Sequence, residues 1–235
     1  MNNRFYTLCK GLMAVALLGA ASNAIANTVT LNVGSYGNLG GYGGGEFTAV
    51  DSGLSTSSYA STTSSGGTFE TFCMAYNEEF IPGNWGGPAY NFFLSNNTFG
   101  PAAGTLTEGT AWLYSQFAAG TLVGYDYNGS TRAASAQQLQ LAIWSLQNSI
   151  GAPSASGDPF LTEVYNALGS EAAAKTAAAP GYDGVQIMVL TNNVPGTAPS
   201  YAQPQLYYIV PDGGTTVLLL VLALMAIAAF RRRLV

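Results

Sequence analysis

The chain has no histidine. That removes the usual general base at neutral pH, the Ser-His-Asp and Cys-His arrangements, and most zinc or copper sites. Basic residues are also scarce. Arg4 and Lys10 stand near the start and Arg231, Arg232 and Arg233 near the end, leaving only Arg132 and Lys175 for residues 27–209. Eleven acidic residues share that stretch, a net of −9. A groove that neutralises phosphates needs several lysines or arginines, so nucleic-acid binding is excluded. Cysteine is scarcer still, with only Cys9 and Cys73. Beyond the first 26 residues a single thiol remains, so no intramolecular disulfide can form there, and Cys73 is intermolecular, reactive or buried.

Two long apolar runs stand out against this sparse background. Near the start, Leu12 to Ala21 follows Arg4 and Lys10 and precedes Ala24-Ile25-Ala26. A positive end, an apolar stretch and a small-residue site are the parts of a secretory signal peptide, with cleavage expected after Ala26. Cys9 lies before the apolar run, which argues against a lipoprotein anchor. Near the end, Val217 to Phe230 carries no charge and no hydrogen-bonding side chain. A helix from Gly213 to Phe230 would be about 27 Å long at roughly 1.5 Å per residue, close to the thickness of a hydrocarbon core. Arg231, Arg232 and Arg233 then close it and would stay on the cytoplasmic side. The expected organisation is a signal peptide over 1–26, an ectodomain over 27–209 and a C-terminal segment over 210–235.

The motif Val210-Pro211-Asp212-Gly213-Gly214, followed by the apolar helix and basic end, resembles the C-terminal sorting signals of PEP-CTERM proteins. The resemblance implies an exosortase as processing partner. It also implies a transient stay in the inner membrane, then a place on the cell surface or in the extracellular matrix.

Between the two ends the texture changes twice. Thr28 to Val33 alternates apolar and polar residues and predicts a strand. The glycine-rich run Gly34 to Gly45 predicts turns and bulges, and lacks the GK[ST] of a phosphate loop. Glu46 to Val50 predicts a second strand, and Asp51 to Gly67 a Ser/Thr/Gly-rich loop. Thr68 to Tyr76 is the strongest strand, with Phe69, Thr71, Cys73 and Ala75 expected on one face. Asn77 to Pro88 reads as a turn-rich connection in which Glu78 and Glu79 are solvated rather than a glycosidase pair.

Helical spacing follows. Thr110, Leu113, Tyr114 and Phe117 mark a helix over about 108–119. Leu139, Ala142, Ile143 and Leu146 mark another over about 133–148. Asp158 as N-cap with Pro159 behind it opens a third, burying Leu161, Val164, Tyr165 and Leu168. Ser170 caps a fourth, alanine-rich segment with a Glu171–Lys175 pair, ending before Pro180. Val185 to Leu190 and Gln205 to Val210 return to strand texture. Strands, then helices, then strands predict an α+β fold: a β-sandwich or barrel-like sheet with an inserted helical subdomain, plus one C-terminal transmembrane helix.

With histidine absent, the chemistry concentrates on Cys73 in its strand and on Gln140, which lies in Gln138-Leu139-Gln140-Leu141-Ala142-Ile143-Trp144. A Phe-Cys-(apolar) strand followed by Gln-x-Ala-Ile-Trp on a helix resembles the thioester domains of bacterial surface adhesins, over roughly Thr28 to Gln205. Leu139 departs from the threonine usual there. The resemblance implies that Cys73 provides the sulfur, Gln140 the acyl group and Trp144 the packing residue of an internal thioester. Such a bond captures nucleophiles, usually amines, on a target surface.

The residues themselves leave the alternative of Cys73 as a small buried hydrophobe and Gln140 as a helix-flank amide. In that case the chain is a structural matrix component that binds polysaccharide through exposed aromatics such as Tyr36, Tyr42, Trp85 and Tyr90. Neither reading calls for an enzyme, a cofactor or a metal.

Overall fold

A computed structural model describes residues 28–37, 44–51, 68–100, 104–149, 151, 154–192 and 200–209. The signal peptide, the Ser/Thr-rich loop, the sorting motif and the apolar tail expected from sequence lie outside these residues. Among the described residues no helix is long and apolar enough to cross a membrane.

Six strands form one antiparallel sheet in the order β3-β2-β1-β4-β5-β6. They are β1 (Thr28–Gly37), β2 (Gly45–Asp51), β3 (Thr68–Thr71), β4 (Tyr90–Ser95), β5 (Val185–Asn192) and β6 (Ser200–Tyr208). The chain past β3 returns to the opposite edge. Leu206 N–H donates to Phe72 O at 3.1 Å, Met74 N–H donates to Pro204 O at 2.9 Å, and Cys73 sits across from Gln205. The two edges are thereby paired, which gives the sheet a barrel-like closure and leaves fewer open backbone groups. The interior is filled from every strand, with Val29, Ala49, Phe69, Phe92, Met188 and Tyr207 in one cluster.

Helices α1 (Glu108–Ala118), α2 (Arg132–Leu146), α3 (Pro159–Leu168) and the single turn α4 (Glu171–Ala174) are inserted between β4 and β5. Most of the stripes read from sequence are buried: Leu113, Phe117, Leu139, Ile143, Leu146 and Val164 share a core with Ile187, Val189 and Leu206, whereas Tyr165 and Leu168 are half-buried at its edge and Phe160, not expected, lies fully inside. Strand β5 is therefore covered twice, Met188 and Leu190 facing the barrel and Ile187 and Val189 facing the helices. A strand covered on both faces reads as a continuous apolar run, as Val185 to Leu190 does.

Several expectations are corrected. β1 runs on to Gly37 across an irregularity between Val33 and Gly37, so the glycine run does not end the strand at Val33. The strand expected over Thr68 to Tyr76 ends at Thr71; beyond it Phe72 and Met74 pack against the helices, while Phe69 within it faces the barrel. Glu78 is buried, since the connection folds back onto the sheet instead of reaching into solvent; Glu79 is exposed. The fourth helix stops at Ala174. β4 was not expected at all.

Candidate functional site

Cys73 lies where β2 and the continuation of β3 part company. Phe47 pairs with Thr71, so two more residues of the same register would set Gly45 opposite Cys73. In a narrow antiparallel pair the backbone polar groups point away from the partner. Cys73 makes such a pair with Gln205, so its own N–H and C=O face the β2 side, where no strand meets them. The Gln140 side chain from α2 fills that gap. Its Oε1 accepts from Cys73 N–H at 3.0 Å and from Gly45 N–H at 3.2 Å, and its Nε2 donates to Cys73 O at 2.8 Å. The amide thus takes the place of a missing rung of the ladder. Gly44 makes the approach possible, since a Cβ there would stand 2.5 Å from Trp144 Cη2 and 2.7 Å from Gln140 Cγ.

The structure thus brings together the three residues singled out in the sequence. Cys73 and Trp144 share a small cluster with Phe47 at one end of the barrel interior, and Gln140 is 2% exposed. Trp144 in turn meets Tyr76 edge-on at 5.0 Å, and Tyr76 N–H donates to Ser149 Oγ at 2.8 Å. Leu139 is fully buried in the helix core, so a hydroxyl at that position would enter apolar surroundings.

Burial pushes the Cys73 thiol up to about 12, only partly offset by Gln205 Nε2, which donates to Sγ at 3.5 Å. The thiolate, which is the nucleophilic form, is therefore scarce at neutral pH. What the geometry provides is polarisation of the amide. Two backbone N–H groups converge on the Gln140 carbonyl oxygen, where charge would develop if a nucleophile added to the amide carbon.

Sequence reasoning missed two other parts of this region. Gln203 and Gln205 are buried amides on β6; Gln203 Nε2 donates to Ala75 O at 2.7 Å. The signal for them was the Gln-Pro-Gln sequence entering an otherwise apolar strand. The second part is ionic and begins one residue from Gly45. Glu46, on β2, receives Arg132 through both carboxylate oxygens, with Nε at 3.0 Å from Oε2 and Nη2 on Oε1. Tyr125 OH donates to the same Oε2 at 2.9 Å, and the guanidinium lies over the Tyr36 ring at 4.6 Å. Glu70 accepts from Thr48 Oγ1, and burial, with Glu46 nearby, raises its pKa to about 7. Arg132 being the lone arginine of residues 27–209 was the signal available there.

The aromatic row named from sequence does not form. Tyr90 is buried with its hydroxyl accepting from Ile81 N–H, Tyr36 is spent on Arg132, and Tyr42 lies outside the described residues. Trp85 alone is well exposed. Among the described residues no group of three or more Cys, Asp or Glu could hold a metal ion.

Comparison with known proteins adds one finding. Residues 210–234 match the VPDSG-CTERM motif, with Gly213 where the motif's name has serine. The match covers the tail alone, and it includes Val210 to Gly214 and the arginine triplet. It is consistent with a PEP-CTERM-type sorting signal, and so with export, surface sorting and processing by an exosortase. No curated protein and no solved structure matches the chain.

Proposed function

We propose that this is a sorted surface protein that attaches covalently to its target through an internal thioester between Cys73 and Gln140. The observation that carries this reading is the pairing of the Gln140 amide with both backbone polar groups of Cys73. It supports the reading by holding the Gln140 amide against the backbone of the residue that carries the sulfur, in one buried site. In the forming step the Cys73 sulfur adds to the Gln140 amide carbon. The C–N bond then breaks, and the thiol proton leaves with the amide nitrogen as ammonia. The Cys73 and Gly45 N–H groups hold the oxygen as it gains charge. Trp144 keeps water from the product, which an unshielded thioester would lose to hydrolysis.

In the capturing step an amine nitrogen bonds to the Gln140 carbonyl carbon, the C–S bond breaks, and a proton passes to sulfur. The bond is spent once, so the protein is not an enzyme and needs no cofactor. Its targets are amine-bearing surfaces or polysaccharides outside the cell, in an adhesive or matrix role. The tail, read with its arginines inside, holds the chain in the inner membrane until the exosortase acts.

Intact-mass measurement of the folded protein tests the thioester. The expected mass is one ammonia below that of the sequence, with no free thiol. Methylamine should release the thiol and remain on Gln140, and Cys73→Ala or Gln140→Ala should each abolish the deficit. A full-mass protein whose Cys73 reacts stoichiometrically on gentle unfolding would show that the bond is absent. Sorting is tested separately, since the surface-extracted protein should begin at Asn27 and lack Arg231 to Val235.

A further inference from the structure

Among the described residues, the hydrogen-bond donor on the Cys73 sulfur is not Gln140 but Gln205. Cys73 and Gln205 face each other across the closure of the sheet, as the kind of antiparallel pair that brings side chains closest. Gln205 Nε2 donates to Cys73 Sγ at 3.5 Å and to Gln203 O at 3.3 Å. The second bond fixes which way the amide points. Turned over, it would set its oxygen against the Gln203 carbonyl, so the nitrogen is held toward the sulfur.

Both side chains are fully buried. Gln205 Oε1 is buried as well and accepts from no group. An acceptor left without a partner inside a protein destabilises the fold, and a methionine would fill a similar volume without one. Packing therefore gives no reason for a glutamine here. Nor does the neighbouring backbone, since the Cys73 and Ala75 carbonyls already receive Gln140 and Gln203. What the amide does supply is a donor at the sulfur.

The proposed chemistry needs one. Attack on Gln140 begins from the thiolate, and an amine that captures the acyl group expels the sulfur in the same form. Burial opposes that charge and holds the thiol up at about 12, with Gln205 acting against it. A thiol so reluctant to ionise is also a poor leaving group. The two cations of residues 27–209 are engaged elsewhere, Arg132 by Glu46 and Lys175 by Glu171.

We propose that Gln205 takes a direct part in both thioester steps, its Nε2–H holding the Cys73 sulfur as negative charge gathers there. This role rests on the thioester reading. Gln205 forms no covalent bond and passes no proton. In the forming step the proton of the thiol leaves with the Gln140 nitrogen as ammonia, and in the capturing step a proton of the amine ends on sulfur. The hydrogen bond strengthens when its acceptor becomes an anion, so it favours the charged transition state over the neutral thiol or thioester before it.

The test follows two rates by intact mass, in the full chain held in detergent micelles. One is the loss of ammonia after cell-free synthesis, and the other is the uptake of methylamine by chains that have lost it. Gln205→Met should slow both about tenfold or more, the effect of removing a hydrogen bond to a charged group. Gln205→Glu separates chemistry from packing, because the two side chains have the same shape. Protonated, the carboxyl still donates to the sulfur; ionised, it repels the thiolate. A buried glutamate titrates by about pH 8–9, so the methylamine rate of Gln205→Glu relative to the parent should fall between about pH 6 and 10. Taking the ratio cancels the ionisation of the amine, and a purely structural role would leave it flat. Should Gln205→Met fail to fold, this ratio alone decides. A parent chain at full sequence mass sinks the thioester and this role with it. A parent that loses ammonia, with both rates kept in Gln205→Met or a flat ratio for Gln205→Glu, overturns the role of Gln205 and leaves the thioester standing.

Discussion

Gly45 and Glu46 are neighbours on β2, and both reach across to α2, yet they do so with opposite chemistry. Gly45 offers a backbone N–H to the neutral amide of Gln140, and Glu46 offers a carboxylate to the charged fork of Arg132. Both contacts are buried. The neutral one lies against Cys73 and has nothing in it that titrates near neutral pH. The ionic one lies beside Glu70, whose proton is lost near pH 7. The two together pin α2 to the sheet at two points eight residues apart along the helix. The pairing suggests a division of labour, in which the ion pair fixes the helix and the amide holds its place against Cys73 without responding to pH.

The largest expected effect comes from breaking the ionic half. Arg132→Ala leaves Glu46 buried against Tyr125 with no counter-charge. Removing one partner of a buried pair costs about 3–5 kcal/mol, read as a fall in the urea unfolding midpoint at constant slope. Replacing both residues, Glu46→Met with Arg132→Met, should recover most of that loss, because no lone charge remains. A double variant as unstable as Arg132→Ala would mean that the hydrogen bonds to Tyr125 and Tyr127, and not the charge, carry the contact.

Breaking the neutral half should cost less. Gln140→Ala strands the N–H and C=O of Cys73 and the N–H of Gly45. A buried polar group without a partner costs about 1–3 kcal/mol, and water entering the space vacated by the side chain would relieve part of it. A loss of about 2–4 kcal/mol follows by the same measurement. Gly44→Ala sharpens the point, since its methyl would meet Trp144 and Gln140 and push the amide off Cys73 while leaving both side chains present. It should lower the fraction of protein showing the ammonia deficit. An unchanged deficit would mean that the amide tolerates displacement.

The pH dependence is set by Glu70. Its folded pKa of about 7 lies above the ordinary 4.5. In the window between the two values the folded state holds a proton that the unfolded state has lost, so stability falls as pH rises from about 4.5 to 7 and levels off above that. A pKa unit is worth about 1.4 kcal/mol; with part of the side chain near solvent, a total of roughly 2 kcal/mol is expected. Asp158, raised to about 6 by burial, acts in the same direction at lower pH. Glu70→Gln should flatten the Glu70 share and make the protein more stable at pH 7.5 than its parent. Urea midpoints at pH 5 and pH 7.5 decide it. A slope unaltered by Glu70→Gln would assign the dependence to other groups.

How much of this was visible in the sequence depends on how local the cause is. The stripes of α1 and α2 and the caps of α3 and α4 were legible, because each is a property of a few adjacent residues. The alternation of β1 and β2 was legible for the same reason. β4 was not, because Tyr90 and Phe92 face inward while Phe93 on the other face is also aromatic, which erases the period of two. The continuation of β3 showed its strand texture but not its two-sided burial, which follows from the closure against β6. Cys73 came to notice as the one thiol of residues 27–209 and Gln140 through a motif; that the amide would take the place of a ladder rung follows from where β2 and β3 diverge. The Glu46–Arg132 contact spans 86 residues and depends on how α2 lies over β2, so no local pattern announces it.

The smallest effect completes the comparison by holding the charges and changing the burial. Lys175 and Glu171 form an ion pair as close as any ordinary one, at 2.7 Å and in i,i+4 spacing, with the glutamate side chain 59% exposed. The Arg132 and Glu46 side chains are 8% and 1% exposed. Exposed helical pairs of this kind contribute about 0.3–0.5 kcal/mol, since water already solvates both ions and two long side chains must be held in one geometry. Lys175→Met should therefore shift the urea midpoint by no more than that. Salt separates the two pairs further. At about 1 M salt the Debye length is roughly 3 Å, so the stability difference between Lys175→Met and the parent should vanish. The deficit of Arg132→Ala should persist, because ions in solution cannot reach a carboxylate enclosed by Tyr125 and α2. A Lys175→Met deficit that matched Arg132→Ala and resisted salt would show that burial is not what separates the two pairs.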